Sequence, residues 1–356
     1  MNRTLILLGF ALFACKGGDD TPTDDTSITG DDSGVDDTAD DTGVDDTAVE
    51  CLAQPAELSP DDGENNVFYR DPVTVRFTSP VPSGRASFRL YHRDTNEEQA
   101  HTVEWNESGE IATLIPEGGY LNYSWAYGLE INVCDQTFNA AFNTNDYGAP
   151  LDITDEELVS RTYVIEFGDV NFTRPEGFGA LLALYIDVPV LVGVNSVEGQ
   201  VMSLVGAQGR VTSQGEYAQR RMTNSEWVPT WPFTGIDFSE SPFFSADTSS
   251  INLVYNGVDI PVYNFHLEGT FAADANSFAG GTIWGLGDTR YMGTFFGEPD
   301  NQDYVCDLVS SVGASCEVCP SDGENYCLFI QGEEIVAALV PDLVLEEIDE
   351  NGPVTP

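Results

Sequence analysis

The chain has 356 residues, of which 60 are acidic and 13 are basic, so its formal net charge at pH 7 is −47. A surface with this charge repels nucleic acid and anionic lipid headgroups, which excludes a nucleic-acid partner and a basic membrane-binding patch. The sequence also lacks the P-loop, the dinucleotide-binding fingerprint and the H-E-x-x-H motif, so no signature of a nucleotide-dependent enzyme or a zinc protease is present.

Residues 1–14 have the features of a signal peptide. Arg3 supplies a positive charge, and the apolar run over 4–14 is too short to cross roughly 30 Å of hydrocarbon. The run ends in Leu-Phe-Ala-Cys at 12–15, which resembles the lipobox of bacterial lipoproteins: an aliphatic residue, then a small residue directly before the cysteine. This resemblance implies cleavage before Cys15 and attachment of acyl chains to it. The alternative is an ordinary secretory signal with Cys15 merely nearby.

Residues 15–50 are predicted to be the lipidated cysteine followed by a disordered acidic tether. The tether has 12 Asp, one Glu, one Lys and no aromatic residue, and it contains the repeats DDSGVDDTA at 31–39 and DDTGVDDTA at 40–48. A low-complexity linker of this composition cannot bury a core. A flexible chain of this length spans roughly 30 Å. Its aspartates could attract Ca²⁺, but they lack the ligand spacing of an EF-hand loop.

Lys16 is the only lysine of the chain and directly follows Cys15. An Asp at this position resembles the signal that retains lipoproteins in the inner membrane, so its absence implies delivery to the outer membrane. A lysine followed by acidic residues also resembles an export tag for the cell surface, although it could be incidental. We therefore expect a lipid-anchored protein of the cell envelope, held to the outer membrane by the acyl chains on Cys15. The periplasmic side and the outer side of that membrane both stay open as its location.

Six cysteines remain besides Cys15, and an even number in an exported, oxidising setting predicts three disulfides. These cysteines are Cys51, Cys134, Cys306, Cys316, Cys319 and Cys327. The last four have the spacing C-x9-C-x2-C-x7-C, with one C-x-x-C where a zinc ribbon needs two, so no metal or cofactor is predicted. The favoured pairing is Cys306 with Cys316 and Cys319 with Cys327, and the other two pairings stay open.

Residues 51–146 are predicted to be an antiparallel β-sandwich. Segments of alternating polarity recur about every ten residues and are separated by turn signals, which is typical of such a fold. The predicted strands are 73–77, 87–92, 101–105, 111–115, 124–133 and 138–144.

Short motifs in this region, taken in their order, also carry a resemblance to a known family. They are Ser59-Pro60, Asp62-Gly63, Arg-Phe-Thr-Ser-Pro-Val at 76–81, Ile115-Pro116 before Leu121, Tyr127-Gly128-Leu129 and Phe142-Asn143-Thr144. Together they resemble the bacterial Ig-like domain of the SbsA type. The resemblance implies a non-catalytic spacer or adhesion module. It also implies that the first and last strands run parallel, which would place Cys51 beside Cys134 as a disulfide.

A hairpin that turns at 96–97 is predicted within this sandwich. It pairs residues that would share one face of a sheet: Phe88 with Trp105, Leu90 with Val103, and His92 with His101. Two histidines side by side could hold a metal ion. No third ligand lies at an obvious spacing, so the favoured interpretation is two polar residues at the open end of the hairpin.

Residues 148–348 are predicted to be a larger antiparallel β-barrel or β-sandwich, followed by a flexible tail at 349–356, so the whole fold is all-β. Thr154 and Glu157 form a capping box, which predicts a short helix after Pro150, and a second short helix is predicted at 303–312. Gly and Pro separate the predicted strands: 162–167, 181–187, 200–207, 252–255, 263–271, 281–286, 326–331, 335–340 and 343–348.

Two features of this larger region suggest contacts with other groups. The tract 224–244 is rich in aromatic residues, including Trp227 and Trp231, and is interpreted as a loop that plugs the end of a barrel in preference to lining a ligand groove. Just before it, Arg220 and Arg221 are conspicuous in an acidic chain. Pairing with nearby acidic residues is favoured over an anion clamp.

The remaining catalytic candidates are weak. Ser196 lies in Gly-Val-Asn-Ser-Val-Glu-Gly, which is not the Gly-x-Ser-x-Gly elbow, and His266 is interpreted as a satisfied residue in a strand. The sequence therefore predicts a non-catalytic binding, adhesion or structural role in the envelope, with an unidentified protein or carbohydrate partner. The alternative is an envelope hydrolase that uses carboxylates of the larger domain. Its mark would be a cleft with two carboxyl groups within about 10 Å.

Overall fold

The computed structural model describes residues 51–177, 188–311 and 313–354. The predicted signal peptide, Cys15, the tether and the strand predicted at 181–187 lie outside the described residues. Within the described ranges nearly all regular structure is β, which confirms the all-β fold class. The chain from residue 50 onward forms one compact unit with two main hydrophobic cores, one drawn from residues 53–142 and one from residues 158–337.

Seven short strands surround the first core. They are β1 (Pro55–Ser59), β2 (Val73–Phe77), β3 (Ala86–His92), β4 (His101–Trp105), β5 (Ile111–Pro116), β6 (Ala126–Val133) and β7 (Gln136–Asn143). They form two antiparallel sheets, with the orders β1-β2-β5-β4 and β3-β6-β7. Alternation places Val73, Val75 and Phe77 of β2 in the core while Thr74 and Arg76 stay outside it. This region is called the sandwich below.

The predicted hairpin between β3 and β4 is wrong. β3 pairs with β6 and β4 pairs with β5, so the two strands belong to opposite sheets, and β3 contacts the segment before β4 through a bridge between Tyr91 and Glu98 and adjacent backbone hydrogen bonds. Phe88 and Trp105 do meet, with ring centroids 6.1 Å apart, but across the interior and not along a ladder. Crossing between the sheets lets both strands contribute apolar side chains to one shared core, which a hairpin would have placed on a single face.

In the described residues after 150, fourteen strands and two short α-helices follow. The strands are β8 (Thr162–Glu166), β9 (Asn171–Arg174), β10 (Pro189–Glu198), β11 (Val201–Val211), β12 (Tyr217–Gln219), β13 (Met222–Thr223), β14 (Glu226–Trp227), β15 (Trp231–Asp237), β16 (Phe243–Tyr255), β17 (Val258–Phe271), β18 (Ser277–Asp288), β19 (Cys327–Leu339), β20 (Ile348–Asp349) and β21 (Gly352–Pro353). The α-helices are α1 (Asp155–Leu158) and α2 (Tyr304–Ser310), and 3₁₀ turns span Phe167–Asp169 and Met292–Phe296.

Ten of these strands form one antiparallel sheet that curls into a half-barrel. Its order is β12-β11-β10-β8-β19-β18-β17-β16, with β15 paired to β11 and β9 paired to β19. Where β11 comes near β16, the buried side-chain amide of Gln208 links the two strands in place of backbone–backbone hydrogen bonds. It donates to Val254 O (2.7 Å) and accepts from Val254 N (2.9 Å). A single curled sheet thus replaces the predicted choice between a barrel and a two-sheet sandwich.

The aromatic tract 224–244 is not the loop that the sequence predicted. It forms β14, β15 and the start of β16, and Trp231, Phe233 and Ile236 are buried in the core of the half-barrel. Pro232 is tolerated because β15 pairs on one side only, and Gly235, with a φ of +70°, lies where the register against β11 shifts. The tract therefore supplies core residues, and its Pro229, Thr230, Pro232 and Thr234 line a cavity of about 600 Å³, as the groove alternative expected.

Other predicted elements differ mainly in their boundaries. The capping box of α1 is confirmed, with both the Thr154 and the Glu157 side-chain bonds present, and α2 lies within the predicted 303–312. The strands predicted at 326–331 and 335–340 are one strand, β19, bent near Glu334, where φ is +55°. Of the predicted strand 343–348 only Ile348 lies in a paired strand, and the tail predicted to be flexible returns through β21 to pair with β20.

Three disulfides are formed, and they join the pairs that the sequence favoured. Cys51 is bonded to Cys134, which lies in the tight turn between β6 and β7. This pair does not depend on parallel first and last strands, since β1 pairs antiparallel with β2 in the opposite sheet from β7. The other bonds join Cys306 to Cys316 and Cys319 to Cys327 beside α2 and the start of β19.

The sandwich and the half-barrel make direct contact. Tyr147 Oη and Ser277 Oγ are 2.8 Å apart, Arg70 forms an ion pair with Glu240, and the Arg70 guanidinium lies 3.6 Å from the Phe243 ring centroid. The Phe68 ring packs directly against Gly280, whose φ is +68°. These contacts are called the junction below.

Candidate functional site

The outer face of the half-barrel carries a row of polar and aromatic side chains, called here the outer-face strip: Asp247, His266, Trp284, Phe329 and Gln331. Register places them side by side, because Asp247 is opposite His266, His266 opposite Trp284, and Trp284 opposite Gln331. Their neighbours in sequence point into the core, so strand alternation turns the strip outward.

His266 is held on both ring nitrogens. Its Nδ1 lies 2.8 Å from Asp247 Oδ1, and its Nε2 lies 3.5 Å from Glu268 Oε2. Burial opposes a charge on the ring, but the hydrogen bonds to Glu268 and Asp247 outweigh it and raise the pKa of His266 above its ordinary value. An imidazole with both nitrogens directed at carboxylates is suited to a fixed charge network, because neither nitrogen is left to take a proton from a substrate.

Glu268 completes this network from the same strand. Burial opposes ionisation, yet its bonds with His266 and Thr282, whose hydroxyl donates over 2.9 Å, lower the pKa of the Glu268 carboxyl. The two shifts agree in direction, because each favours the charged form of its group, an imidazolium at His266 beside an ionised carboxylate at Glu268. Their mutual contact orders both side chains.

Trp284 gives the outer-face strip its rigidity. Its ring stacks on His266 with centroids 4.7 Å apart and an interplanar angle of 11°, and Phe329 follows at 6.3 Å. Apart from the exposed Asp247, these side chains are half-buried. The strip is thus an ordered ridge of rings and polar groups, which suits contact with a partner better than enclosure of a small substrate.

The other sequence candidates have structural partners. Ser196 Oγ lies 2.7 Å from Ser203 Oγ on the adjacent strand, and the ring of His92 packs edge-on against Trp125 at 4.9 Å. His101 Nδ1 lies 3.0 Å from Gln99 O. In the described ranges, no group of three or more His, Cys, Asp and Glu residues is placed to hold a metal ion.

The two consecutive arginines differ from each other. Arg221 lies 2.9 Å from Glu346, the kind of pairing that the sequence favoured. Arg220 has a buried Nε with no hydrogen-bond partner among the described residues. Adjacency in the sequence suggested one shared role for both arginines and gave no signal for Arg210, which lies on the neighbouring strand β11.

The cavities that described residues line on the half-barrel include three with charged side chains. One of about 600 Å³ is lined by Glu347, Asp349 and Glu350, and one of about 620 Å³ by Glu176, Glu317 and Glu333. The third, of about 410 Å³, has arginines in place of carboxylates.

No helix in the described part of the chain is both long and apolar enough to cross a membrane.

Comparison with known proteins gives only weak likenesses. No family model and no curated protein matches the chain. Among solved structures, the chain is similar to CopC from Methylosinus trichosporium OB3b, with 14% identity and a TM-score of 0.23 over 26% of this chain and 93% of that one. It is also similar to the N-terminal part of the bacterial S-layer protein SbsC, with 13% identity and a TM-score of 0.22 over 56% of this chain and 41% of that one.

A longer SbsC structure gives 9% identity and a TM-score of 0.20, with 83% of this chain and 58% of that one covered. The chain therefore spans less than two thirds of the length of either S-layer structure. TM-scores of this size carry no argument about fold or function, and the proposals below rest on the residues themselves.

Proposed function

We propose that this chain is a lipid-anchored cell-envelope protein with a non-catalytic role, in which the sandwich and half-barrel together present the outer-face strip to a partner. The anchor is Cys15, and the acidic tether at 16–50 holds the folded unit away from the membrane. Delivery to the outer membrane, and from there to the cell surface, is inferred from Lys16, which stands directly after Cys15 where the retention signal would have Asp.

The observation that carries the non-catalytic role is the state of His266. A general base needs one imidazole nitrogen within reach of the proton that it abstracts. Both nitrogens of His266 face carboxylates, and its ring is stacked on Trp284. The same groups that would disable catalysis give the outer-face strip a fixed shape and charge pattern, which lowers the entropy cost of binding.

The partner that we favour for this strip is a carbohydrate over an anionic macromolecule. Carboxylates, an amide and a hydroxyl lie around the ring stack, and these groups can satisfy the hydroxyls of a neutral sugar. The excess of acidic residues in the chain repels polyanions.

Anchoring is tested by protease treatment of intact cells of the native host, with mass spectrometry of the released peptides and of the N-terminus. We expect peptides from residues 148–348 in the supernatant and acyl chains on Cys15. Two matched variants test acylation and sorting separately. Cys15→Ser should release the protein from membranes, while Lys16→Asp should keep it acylated but retain it in the inner membrane. An unmodified Cys15 in the wild type would refute the anchor.

The second candidate remains a hydrolase, and the cavity lined by Glu347, Asp349 and Glu350 favours it, because carboxylates in a cleft are the usual equipment of glycoside hydrolysis. The test uses the full mature chain with chromogenic glycosides and polysaccharides, beside the variant that combines Glu347→Gln and Asp349→Asn. Turnover that the variant abolishes would establish the hydrolase. Retention of the wild type on an immobilised polysaccharide without turnover, lost in Trp284→Ala, supports binding.

A further inference from the structure

Three arginines meet at the edge of the half-barrel around the cavity of about 410 Å³. Arg210 lies on β11, and Arg220 and Arg221 directly follow β12, which pairs with β11. The opposite wall is the segment at 343–344. This cavity is called the arginine cleft below.

The charge of the arginine cleft is unusual for this protein. Residues 51–356 contain 11 arginines against 47 acidic residues, and yet three of the 11 line one cavity. Arg221 is paired with Glu346 at 2.9 Å, whereas Arg210 and Arg220 have no ion pair with a carboxylate in the described ranges. Neither of these two guanidinium groups therefore has a described carboxylate at ion-pair distance.

Arg220 supplies the observation that points to a ligand. Its Nε is buried and has no hydrogen-bond partner among the described residues. A buried donor without an acceptor costs free energy in proportion to its lost hydration, and the cost is larger for a charged group. An anion in the cleft would accept from the terminal N–H groups of the same guanidinium and so offset part of that cost.

The walls of the cleft are fixed before any ligand arrives. The Gln219 amide donates to Glu346 O (2.8 Å) and accepts from Glu346 N (2.9 Å), which ties the segment after 343–344 to β12. The backbone N–H of Arg220 donates to Gln208 O over 2.8 Å, and Gln208 is itself bonded to β16. Preorganised donors bind an anion without paying to order them.

We propose that the arginine cleft binds a dianionic phosphate group. Guanidinium forks match the oxygens of phosphate, and two guanidinium groups without an ion-pair partner among the described residues balance a dianion better than a single carboxylate. Met222, Leu343 and Val344 add apolar surface beside the arginines, where the body of a phosphorylated molecule would lie. This site is separate from the outer-face strip and does not depend on the role proposed for it.

The experiment is calorimetric titration of the full mature chain, at constant ionic strength, with three probes: inorganic phosphate, glucose 6-phosphate and acetate. We expect saturable binding of phosphate and much weaker binding of acetate. Tighter binding of glucose 6-phosphate than of free phosphate would assign the site to a phosphorylated sugar, and equal or weaker binding would assign it to the free anion. Either result supports the proposal.

Variants make the assignment specific. Arg220→Gln should weaken phosphate binding by about tenfold or more, because it removes a charge-assisted hydrogen bond, which is stronger than a neutral one. Arg210→Gln serves if the first variant does not fold. Arg76→Gln, at an exposed pair with Glu57 on the sandwich, is the matched control and should bind as the wild type does. No saturable phosphate binding, equal affinity for acetate, or unchanged binding in Arg220→Gln would overturn the proposal.

Discussion

The sandwich and the half-barrel solve the same packing problem in different ways. The sandwich buries its core between two separate sheets of strands that are five to eight residues long. The half-barrel wraps one sheet around its core, and its strands β16 to β19 have 12 to 14 residues. Long strands offer an outer face as extensive as the inner one, and the outer-face strip lies there. The half-barrel is therefore the region whose outer face is large enough to carry such a strip.

The two regions also use disulfides differently. The bond from Cys51 to Cys134 spans 83 residues and closes the sandwich, whereas the two bonds of the half-barrel span 10 and 8 residues and fix local loops. The entropy that a crosslink removes from the unfolded chain grows with loop length. We expect the sandwich to depend on its disulfide more than the half-barrel depends on either of its own.

The largest effect should come from removing the sandwich disulfide. Chain entropy gives about 4 to 5 kcal/mol for a loop of this length, against about 3 kcal/mol for a loop of ten residues. The variant that replaces Cys51 and Cys134 with Ser is compared with the one that replaces Cys306 and Cys316, by denaturant unfolding of each. Equal losses would mean that the two regions do not differ in this way.

The core of the half-barrel should be nearly as sensitive at one ring. Phe271 is buried and contacts Phe244 at 5.0 Å and Phe278 at 5.8 Å between ring centroids. Phe271→Ala removes a full ring from a packed core, so we expect a loss of about 3 to 5 kcal/mol in the free energy of unfolding. Val336→Ala, at a residue 61% exposed on β19, is the control and should change stability by no more than about 0.5 kcal/mol.

Gly280→Ala should loosen the junction between the regions. A Cβ at this position would overlap the Phe68 ring, and the φ of +68° already disfavours any residue with a side chain. We expect a loss of about 1 to 3 kcal/mol and faster proteolysis near residues 144–150, measured by limited digestion. Gly257→Ala, which has a φ of +80° but open space around its Cβ, separates backbone strain from the lost contact.

The smallest effect is a pH dependence at Asp71, close to the junction. Burial and the charges of Glu334, Glu64 and Glu333 raise the pKa of Asp71 to about 6, against the bond donated by Phe68 N. Because the folded pKa lies above the unfolded one, the folded state binds the proton more tightly. Stability from this group is therefore full below about pH 4 and is lost as the pH rises through about 6.

Asp71→Asn keeps the shape without the charge, so it should raise the melting temperature at pH 7.5 and lose that advantage towards pH 4. The measurement is a pair of thermal melts at the two pH values. Asp94→Asn, at an exposed turn of the sandwich, is the control and should show no such dependence. The same gain at both pH values would show that ionisation of Asp71 is not the cause.

Local patterns predicted much of this fold. Alternation located β2 and β4 at their observed boundaries, and the capping box located α1. β10 escaped prediction because alternation fails there: Val190, Val192 and Val194 face the main core, while Leu191 is buried on the other side in a small third cluster. A strand that is buried on both faces has no alternation of polar and apolar residues from which it could be predicted.

The site was harder to predict than the fold, for a physical reason. The outer-face strip joins residues from 247 to 331 through the register of four strands, and that register contains irregularities between β17 and β18 and between β18 and β19. Sequence spacing cannot place such bulges. The arginine cleft likewise depends on the pairing of β11, which carries Arg210, with β12, which precedes Arg220. No local sequence motif predicts that pairing.

The position of the Cys51–Cys134 bond also sets how the molecule bears mechanical load. β1 is an edge strand, and a pull from its N-terminal side would peel it from β2 one hydrogen bond at a time. Cys51 precedes β1 and is bonded to the turn between β6 and β7, so tension that arrives along the chain passes into the second sheet before it reaches β1. A pull on the chain before residue 51 is thereby carried by a covalent bond, and the edge strand β1 is spared.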